Sequence, residues 1–360
     1  MTKFEKYLKY LFTPLSWLYG FGIFVRNKLF DWGILKEVSF DVPVVGVGNI
    51  TIGGTGKTPH VEHILECLRY RMNIAVLSRG YKRKTKGFII ASSKSTPDSI
   101  GDEPLQIYEK FGGRVKVAVC ENRVTGIKLL IKEFPQLDLI VLDDSFQHRY
   151  IKPKLNIMLM DFGHPVYKDK LLPLGRLREN ANAVDRADMV ITTKCPDNIS
   201  ALDMRIVSKN LNLMPYQKLY FSTIDYGGLI PVFPDDCKNR ILVDDITSND
   251  FVLLITGIAN PRPFVNHFRK YPFKKRVLHF PDHHDFSRSD LAEIEGKYHA
   301  VGADRKLIIT TEKDAVRIAH NPYFPQELKP FIFYIPVGVR MLDSNFNKDF
   351  ISDLLLAISK

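Results

Sequence analysis

The stretch GNITIGGTGKTP, at residues 48–59, decides the fold of this 360-residue chain. An apolar run at residues 42–47 precedes it and an amphipathic stretch at residues 60–70 follows it, so the pattern predicts a strand, a glycine-rich turn and a helix. In a turn of this kind the backbone amides point towards a polyphosphate, and the unpaired amides of the helix N-terminus attract its negative charge. The sequence therefore predicts a phosphate-binding loop.

The residues expected to bind the phosphates are consecutive: Thr51, Ile52, Gly53, Gly54, Thr55, Gly56, Lys57 and Thr58. Lys57 would reach the outer phosphates, and the Thr58 hydroxyl would ligate Mg²⁺. The pattern departs from G-x-x-x-x-G-K-[ST] at Thr51, where glycine is usual, and Ile52 stands where a related loop class carries a lysine. The alternative is a glycine-rich turn without a ligand, although the strand, the GKT sequence and the helix all agree with phosphate binding.

The composition describes an ordinary globular protein, with 45% hydrophobic and 25% charged residues, and the length suffices for two domains. A net charge of +11 favours an anionic partner, such as a nucleotide, a nucleic acid, a phospholipid or a phosphorylated sugar. The four cysteines are far apart in the sequence and form no C-x-x-C pair. This spacing predicts reduced thiols and argues against a cysteine zinc site.

The N-terminal segment is uncharged and rich in aromatic side chains at residues 10–25. Lysines precede it, and Arg26 and Lys28 follow it. These residues are fewer than the ~20 that span a bilayer, and Pro14 interrupts them, so we expect a helix that lies in the membrane interface. The alternative is a helix that packs on the protein core or covers the substrate.

Strand and helix patterns alternate along most of the chain, which predicts an α/β fold. We expect a P-loop NTPase-like, doubly wound, mostly parallel sheet that binds its ligand at the carboxyl ends of the strands, and a second, smaller α/β domain. The predicted strands lie at residues 42–47, 74–77, 88–91, 115–119, 139–142, 157–160 and 189–191, and then at 251–255, 277–280, 307–310 and 331–335. Helices are predicted between them, for example at residues 60–70, 103–110 and 123–134.

Changes in composition and in predicted secondary structure along the chain suggest four segments. They are an N-terminal membrane-associating segment (1–36), a P-loop domain (37–213), a linking β segment (214–250) and the smaller C-terminal domain (251–360). Glycine and proline interrupt short β-prone pieces in the third of these, which is typical of a linker. A final helix at residues 348–359 could pack on either domain.

Two acidic residues, Asp143 and Asp144, follow the predicted strand at residues 139–142. In P-loop enzymes an apolar strand that ends in acids holds Mg²⁺ beside the phosphates. Together with Thr58, these carboxylates are the expected metal ligands. The alternative is that the acids only cap the next turn.

Two further loops carry groups suited to acid–base chemistry. Asp102 stands in GDEP at the start of a predicted helix, where it could equally be a helix cap. His283 and His284 are adjacent in PDHHDF, and because adjacent residues face different directions, we do not expect them to chelate a metal. A loop histidine that a carboxylate orients suits proton transfer better. A basic run at residues 82–86 would meet either solvent or anionic lipid headgroups.

Nine motifs occur in a fixed order: GNITIGGTGKTP, LSRGY, GDEP, ENR, LDDSFQHR, LLPLGRLRE, TGIANP, FPDHHDF and TTEKDAVR. Together they resemble the tetraacyldisaccharide 4′-kinase family of lipid A biosynthesis, from the N-terminal segment through Arg317. Thr51 in place of glycine is also usual in that family, so this departure supports the resemblance.

The resemblance implies transfer of the ATP γ-phosphate to the 4′-hydroxyl of a tetraacyldisaccharide 1-phosphate, giving lipid IVA. It implies ATP and Mg²⁺, an acylated disaccharide substrate, and a peripheral position on the cytoplasmic face of a Gram-negative inner membrane. Asp102 would be the base with His283, and Asp143 and Asp144 would hold the metal. Domain closure over the nucleotide would bring His283 to Asp102. Further positions that match the family's site are Arg79, Arg123, Gln147, His148 and Arg176.

Two other classes of function remain open from the sequence. The first is a regulatory NTPase that switches a partner, because TKCPD at residues 193–197 resembles a guanine-reading loop, although its spacing is off. The second is a nucleic-acid-binding protein, suggested by the basic charge alone. The basic residues are dispersed and no such signature accompanies them, so we expect no nucleic-acid partner and no obligate protein partner.

Overall fold

The computed structural model describes residues 3–343 and 349–359, and within them fourteen strands form two sheets. The strands are β1 (Val44–Gly48), β2 (Ile74–Ser78), β3 (Ile89–Ile90), β4 (Lys116–Val119), β5 (Leu139–Asp143), β6 (Leu155–Asp161), β7 (Met189–Thr193), β8 (Lys218–Tyr226), β9 (Ile230–Pro231), β10 (Phe251–Thr256), β11 (Lys274–His279), β12 (Lys306–Thr311), β13 (Ile332–Ile335) and β14 (Val337–Leu342).

Helices connect most of these strands. They are α1 (Lys3–Asp31), α2 (Lys57–Leu68), α3 (Pro97–Ile100), α4 (Asp102–Phe111), α5 (Arg123–Glu133), α6 (Ala201–Leu211), α7 (Arg262–Arg269), α8 (Arg288–His299), α9 (Glu312–Ala319) and α10 (Phe350–Ser359). This alternation of strands with helices is the reason why most of the pairing in both sheets is parallel.

The larger sheet has nine strands in the order β14-β8-β7-β6-β1-β5-β2-β4-β3. β1 lies near its centre and pairs in parallel with β5 and β6. All five residues of β1 are buried, as expected for a strand covered on both faces. The predicted mostly parallel α/β sheet is confirmed, and the loop at residues 48–58 leaves it at the carboxyl end of a central strand.

The smaller sheet has five strands in the order β11-β10-β12-β13-β9. β10 pairs in parallel with β11 and β12, and β12 pairs in parallel with β13. Its core is built largely of aliphatic and phenylalanine side chains, including Leu253, Ile255 and Ile308. The smaller sheet therefore has a hydrophobic core of its own.

The segment at residues 214–250, predicted to link the domains, is divided between the two sheets. β8 pairs in parallel with β7 in the larger sheet, while β9 pairs antiparallel with β13 in the smaller one. The glycines and prolines that suggested a linker all follow β8. The pattern therefore placed the boundary too early, since β8 itself is a largely buried strand.

The C-terminal region returns to the larger sheet. β14 pairs antiparallel with β8, and α10 packs Phe350, Leu354 and Ile358 into the core that contains Val45 of β1. Of the two positions left open for the final helix, the structure shows the one on the larger sheet. Residues 337–343 and 349–359 thus lie with the larger sheet, although the sequence pattern assigned them to the smaller domain. The pairing joins segments far apart in the sequence, so no local pattern reports it.

One side of helix α1 packs against the unit built on the larger sheet, called the larger unit below, and the other side is exposed. The Ser16 hydroxyl donates to the Leu171 carbonyl at 3.1 Å, and the Asn27 amide donates to Glu179 Oε2 at 3.1 Å. On the other side Trp17 is 73% exposed and Phe21 is 64% exposed. Among the described helices, none combines the length and the apolar character that a bilayer crossing requires.

Candidate active site

A cavity of about 1220 Å³ opens at the carboxyl edge of the larger sheet and is bounded by both sheets. Its floor is the loop at residues 53–58, and its far wall includes the loop that follows β10. The volume exceeds that of a typical small-molecule pocket, so a nucleotide and part of a second substrate fit in it together. This position agrees with the rule that ligands bind at the carboxyl ends of parallel strands.

The phosphate-binding loop has the backbone conformation that its glycines permit. Gly56, directly before α2, adopts a left-handed conformation with φ 84°, and no side chain of the described residues caps this helix end. The free amides at the start of α2 are therefore available to an anion. At Gly48 a Cβ would lie 2.7 Å from the backbone nitrogen of Phe146, so only glycine allows this close approach.

Six of the eight predicted phosphate-binding residues, 53–58, line the cavity. Thr51 and Ile52 lie outside the lining: Thr51 is buried, and the Ile52 amide donates to the Arg176 carbonyl at 2.7 Å. Arg176 also lies outside, whereas Arg178 from the same motif faces the cavity with its guanidinium 3.5 Å from Asp144 Oδ2. The sequence argument chose the wrong arginine of the pair for the lining, since both occur in LLPLGRLRE.

The two acids after β5 lie beside Lys57. Lys57 Nζ is 3.6 Å from Asp144 Oδ1, and Asp144 has a left-handed backbone with φ 49°. Burial, and then the charge of Asp144, raises the pKa of Asp143 to about 7. The Oδ1 atoms of both acids are buried and have no hydrogen-bond partner among the described residues. Carboxylate oxygens that accept no hydrogen bond from these residues, with the Thr58 hydroxyl in the same cavity, suit a hard cation such as Mg²⁺.

Cationic and neutral side chains line the same cavity as the acids. Arg79, Arg123, Gln147 and His148 all line it. Burial, and then the charge of Arg79, lowers the pKa of Arg123. Burial, and then the charge of Arg123, lowers the pKa of His148 to about 4, so its imidazole is neutral at pH 7. Arg26 of α1 also lines the cavity, donating to the Gln147 carbonyl at 2.9 Å, and sequence reasoning missed it.

Asp102 and His283 are in contact although they stand far apart in the sequence. Asp102 is the first residue of α4 and is 3% exposed, and His283 Nδ1 lies 2.8 Å from its Oδ2. His283 has a left-handed backbone with φ 59°. The expected contact between the two units is present, while closure of the two domains over the nucleotide stays a prediction.

Two cations complete the surroundings of this pair, and sequence reasoning assigned neither. Arg317 donates to Asp102 Oδ2, and Lys313 Nζ lies 2.8 Å from His283 Nε2. Because an ammonium can only donate, Nε2 accepts and we assign the ring proton to Nδ1, which donates to Asp102. Burial raises the pKa of Asp102, but hydrogen bonds from His283 and Arg317 outweigh it and lower the pKa below its usual value. Both cations belong to the TTEKDAVR motif, and this motif was the sequence feature that could have identified them as site residues.

His284 lies apart from this group, as expected because adjacent residues face different directions. Its Nε2 lies 2.9 Å from Oδ2 of Asp290 in the first turn of α8. The structure also argues against a guanine-reading loop at residues 193–197. Its acidic residue, Asp197, forms an exposed ion pair with Arg340 of β14. The carboxylate that would read guanine is thus held on the surface.

A buried ion network connects three helices next to the site. Lys110 Nζ of α4 lies 2.6 Å from Glu62 Oε2 of α2 and 3.1 Å from Glu312 Oε1 of α9. The Gln106 amide donates to Glu62 Oε1 at 2.8 Å. Burial, and then the charge of Glu312, raises the pKa of Glu62 to about 7. Two carboxylates thus share one ammonium group between the larger and the smaller unit.

We expect Glu62→Gln to raise the melting temperature at pH 8 by roughly 2–4 °C. Because its folded-state pKa is raised, folded Glu62 keeps a proton that the unfolded chain has lost between its ordinary pKa and about 7, so stability falls as pH rises through that window. The neutral amide removes this loss, and the difference disappears at pH 5. Circular dichroism melts measure it, with Glu66→Gln on the exposed side of α2 as the control. Equal melting temperatures at pH 8 would refute the argument.

The sequence and the fold are similar to those of known proteins. A family model described as Tetraacyldisaccharide-1-P 4′-kinase matches residues 8–356. A Bacteroides thetaiotaomicron protein named tetraacyldisaccharide 4′-kinase is 48% identical over 353 residues, which cover 96% of this chain and 92% of the relative. A Flavobacterium johnsoniae protein of the same name is 39% identical over 342 residues, 95% of each chain. The crystal structure of "apo" form LpxK from Aquifex aeolicus in complex with ATP has a TM-score of 0.74 at 27% identity, covering 98% of both chains.

Proposed function

Since the chain belongs to the tetraacyldisaccharide 4′-kinase family, it transfers the γ-phosphate of ATP to the 4′-hydroxyl of a tetraacyldisaccharide 1-phosphate, and we propose that Asp102 takes the hydroxyl proton while His283 positions its carboxylate. The product is lipid IVA. The contact of 2.8 Å between Asp102 and His283 is the observation that supports this proposal most, because His283 lines the cavity that the phosphate loop floors.

The loop at residues 53–58 and Lys57 are the proposed binding groups for the β- and γ-phosphates. Free amides at the start of α2 and the ammonium group supply positive charge where the phosphates carry negative charge. Arg79 and Arg123 add two guanidinium groups to the lining of the same cavity. Phosphoryl transfer depends mainly on positioning and on neutralising charge, which is what this arrangement provides.

Thr58, Asp143 and Asp144 are the proposed Mg²⁺ ligands. The buried Oδ1 atoms of the two acids accept no hydrogen bond from the described residues, which fits this assignment. When bound, the metal would neutralise charge on the phosphate oxygens. Lys57 and Arg178 flank Asp144 at 3.6 and 3.5 Å, so both hold its carboxylate in place beside the loop.

Of the three carboxylates that the sequence predicted for the site, Asp102 fits the role of base best. Asp143 and Asp144 are the proposed metal ligands, so their carboxylates are committed to the cation. The lowered pKa of Asp102 keeps it ionised at pH 7. A weak base suffices, because the proton leaves late in a loose phosphoryl-transfer transition state. His283 positions the Asp102 carboxylate, and Arg317 holds it from α9.

The assignment of the 4′-hydroxyl as the acceptor is tested by following the label from γ-labelled ATP. Detergent-dispersed tetraacyldisaccharide 1-phosphate should acquire the label, and the same lipid with its 4′-hydroxyl blocked should not. Equal labelling of both acceptors would show that another hydroxyl accepts the phosphate and would contradict the proposal.

The exposed side of α1 is the proposed membrane-binding surface, on the cytoplasmic face of the inner membrane. Its apolar residues include Trp17, Leu18, Phe21 and Phe24. Trp and Phe prefer the boundary between headgroups and acyl chains, and Lys28 of the same helix can meet anionic headgroups. The buried side of α1 contributes Arg26 to the cavity, so the helix connects the proposed membrane surface to the site.

We expect the double variant Trp17→Ser/Phe21→Ser to bind vesicles of phosphatidylethanolamine and phosphatidylglycerol at least about tenfold more weakly. The variant removes two large apolar groups that would leave water on binding. Co-sedimentation measures the bound fraction. The matched control is Tyr323→Ser/Leu356→Ser, which removes two similarly exposed residues from elsewhere on the surface and should bind normally. Unchanged binding of the α1 variant would leave the substrate-covering alternative for this helix.

A further inference from the structure

Three consecutive carbonyls of the phosphate loop each lie within hydrogen-bond distance of a side-chain donor. The Lys194 ammonium donates to the Gly54 carbonyl. The Thr193 hydroxyl donates to the Thr55 carbonyl at 2.9 Å, the shorter of its two contacts. His60 Nδ1 lies 2.7 Å from the Gly56 carbonyl. We call Lys194, Thr193 and His60 the loop-holding residues.

Two of the loop-holding residues act from behind the loop. Thr193 is 0% exposed and His60 is 1% exposed, and both lie outside the cavity lining formed by the described residues. Neither can therefore touch a ligand in the cavity directly. Lys194 does line the cavity, and the Asp161 carboxylate holds its ammonium at 2.9 Å.

His60 is fixed as a neutral donor. Its Nε2 lies 2.8 Å from the Ser222 hydroxyl of β8, and burial lowers the pKa of the ring to about 4. The Gly56 carbonyl can only accept, so we assign the proton to Nδ1, and Nε2 then accepts from Ser222. β8 therefore supports the loop through this ring, as does the end of β7 through Thr193.

Holding the carbonyls fixes the amides. In a planar trans peptide the C=O and the following N–H point in opposite directions. The carbonyls of Thr55 and Gly56 are held by groups outside the cavity lining, so the amides of residues 56 and 57 turn in the other direction, to the side that faces the cavity. Lys194 fixes the carbonyl of Gly54, which lies in the same peptide plane as the amide of residue 55. A loop held in this way before the anion arrives needs less ordering on binding, which favours affinity.

We propose that Thr193 and His60, together with Lys194, are positioning residues that hold the amides of the loop in their triphosphate-binding orientation. The inference rests on the proposed function, in which this loop binds the triphosphate of ATP. Thr193 and Lys194 belong to the TKCPD stretch, whose resemblance to a guanine-reading loop remained unexplained. In this chain the stretch supports the loop, while its Asp197 pairs with Arg340 at the surface.

The experiment compares Thr193→Val with Thr193→Ser, which keeps the hydroxyl. The control is Thr192→Val, because the Thr192 hydroxyl is equally buried in β7 and has no hydrogen-bond partner among the described residues. Calorimetric titration with Mg²⁺ and a non-hydrolysable ATP analogue gives Kd, and the labelling assay gives kcat and KM. We expect Thr193→Val to raise Kd and KM for the nucleotide by about tenfold, the effect of one lost hydrogen bond, with kcat within about twofold. Thr193→Ser and Thr192→Val should match the wild type.

A second pair covers the case in which Thr193→Val does not fold. His60→Leu removes the donor to Gly56 and should raise Kd by about tenfold, whereas His60→Asn retains an amide donor and should raise it less. If the valine and leucine variants melt at lower temperature but bind the nucleotide like wild type, the role is only structural and the proposal is overturned. Lys57→Met distinguishes failure of this proposal from failure of the proposed function. If Lys57→Met also leaves Kd unchanged, the nucleotide does not bind at this loop and the proposed function fails.

Discussion

Asp102→Asn is expected to lower kcat for phosphoryl transfer by about 10²–10⁴-fold, the usual contribution of a general base. The amide has nearly the same shape as the carboxylate but cannot accept the hydroxyl proton. Asp102 is not among the described residues that line the cavity; it contacts His283, which does line it, and it lies outside the phosphate loop. We therefore expect KM for ATP to stay within about twofold of wild type. Single-turnover quench measurements with saturating ATP separate chemistry from product release.

The substitution also affects a buried ion pair, so stability must be measured beside activity. Arg317 loses its close carboxylate partner and keeps the exposed Asp285 at 3.9 Å, and a buried cation that loses its close partner is destabilising. A melting curve shows whether the variant is folded at the assay temperature. The activity control is His284→Ala, since His284 pairs with Asp290 outside the site. A folded Asp102→Asn enzyme whose turnover is within a few-fold of wild type would show that the base is a different group.

Lys57→Met is expected to lower kcat/KM for ATP by about 10²–10³-fold, as the removal of one preorganised charge donor does in other enzymes. The Lys57 ammonium lies at the start of α2, lines the cavity and is 3.6 Å from Asp144. Its loss removes positive charge from the phosphates. Of the two cations that flank Asp144, Lys57 and Arg178, only Arg178 then remains. Initial-rate kinetics over a range of ATP concentrations measure the change.

Arginine at position 57 should not restore activity, because a planar guanidinium does not fit a site shaped for a compact ammonium group. The control is Lys132→Met, which removes a lysine from the exposed last turn of α5. A Lys57→Met enzyme with near-normal kcat/KM would place the triphosphate away from this loop. Calorimetry with the ATP analogue would then show no loss of affinity, in agreement with that outcome.

Local sequence patterns predicted the local parts of the structure. The strand before residue 48, the glycine-rich turn and α2 are contiguous, and their apolar spacing and glycines report the conformation directly. The acids at the end of β5 were found in the same way. Asp102 and His283 are different, because neither spacing nor composition joins residues so far apart. Their pairing was expected only from the resemblance to a family.

Long-range contacts were the part that sequence reasoning missed. The return of β14 and α10 to the larger sheet depends on pairing with β8, and each strand alone resembles any other short β-prone piece. The choice between Arg176 and Arg178 depends on how one loop lies against residue 52. Arg317 and Lys313 stand on α9, and their roles appear only when that helix packs against α4.

The fate of the γ-phosphate with and without the lipid acceptor tests most directly the claim that the loop and the Asp102–His283 pair together phosphorylate a lipid-borne hydroxyl. Release of inorganic phosphate and labelling of the lipid are followed in parallel from one reaction. The account predicts that nearly all the phosphate lost from ATP appears on the 4′-hydroxyl, and that turnover nearly stops without the acceptor. Hydrolysis of ATP at the full rate in the absence of the disaccharide would contradict it and would favour a nucleotide-dependent switch.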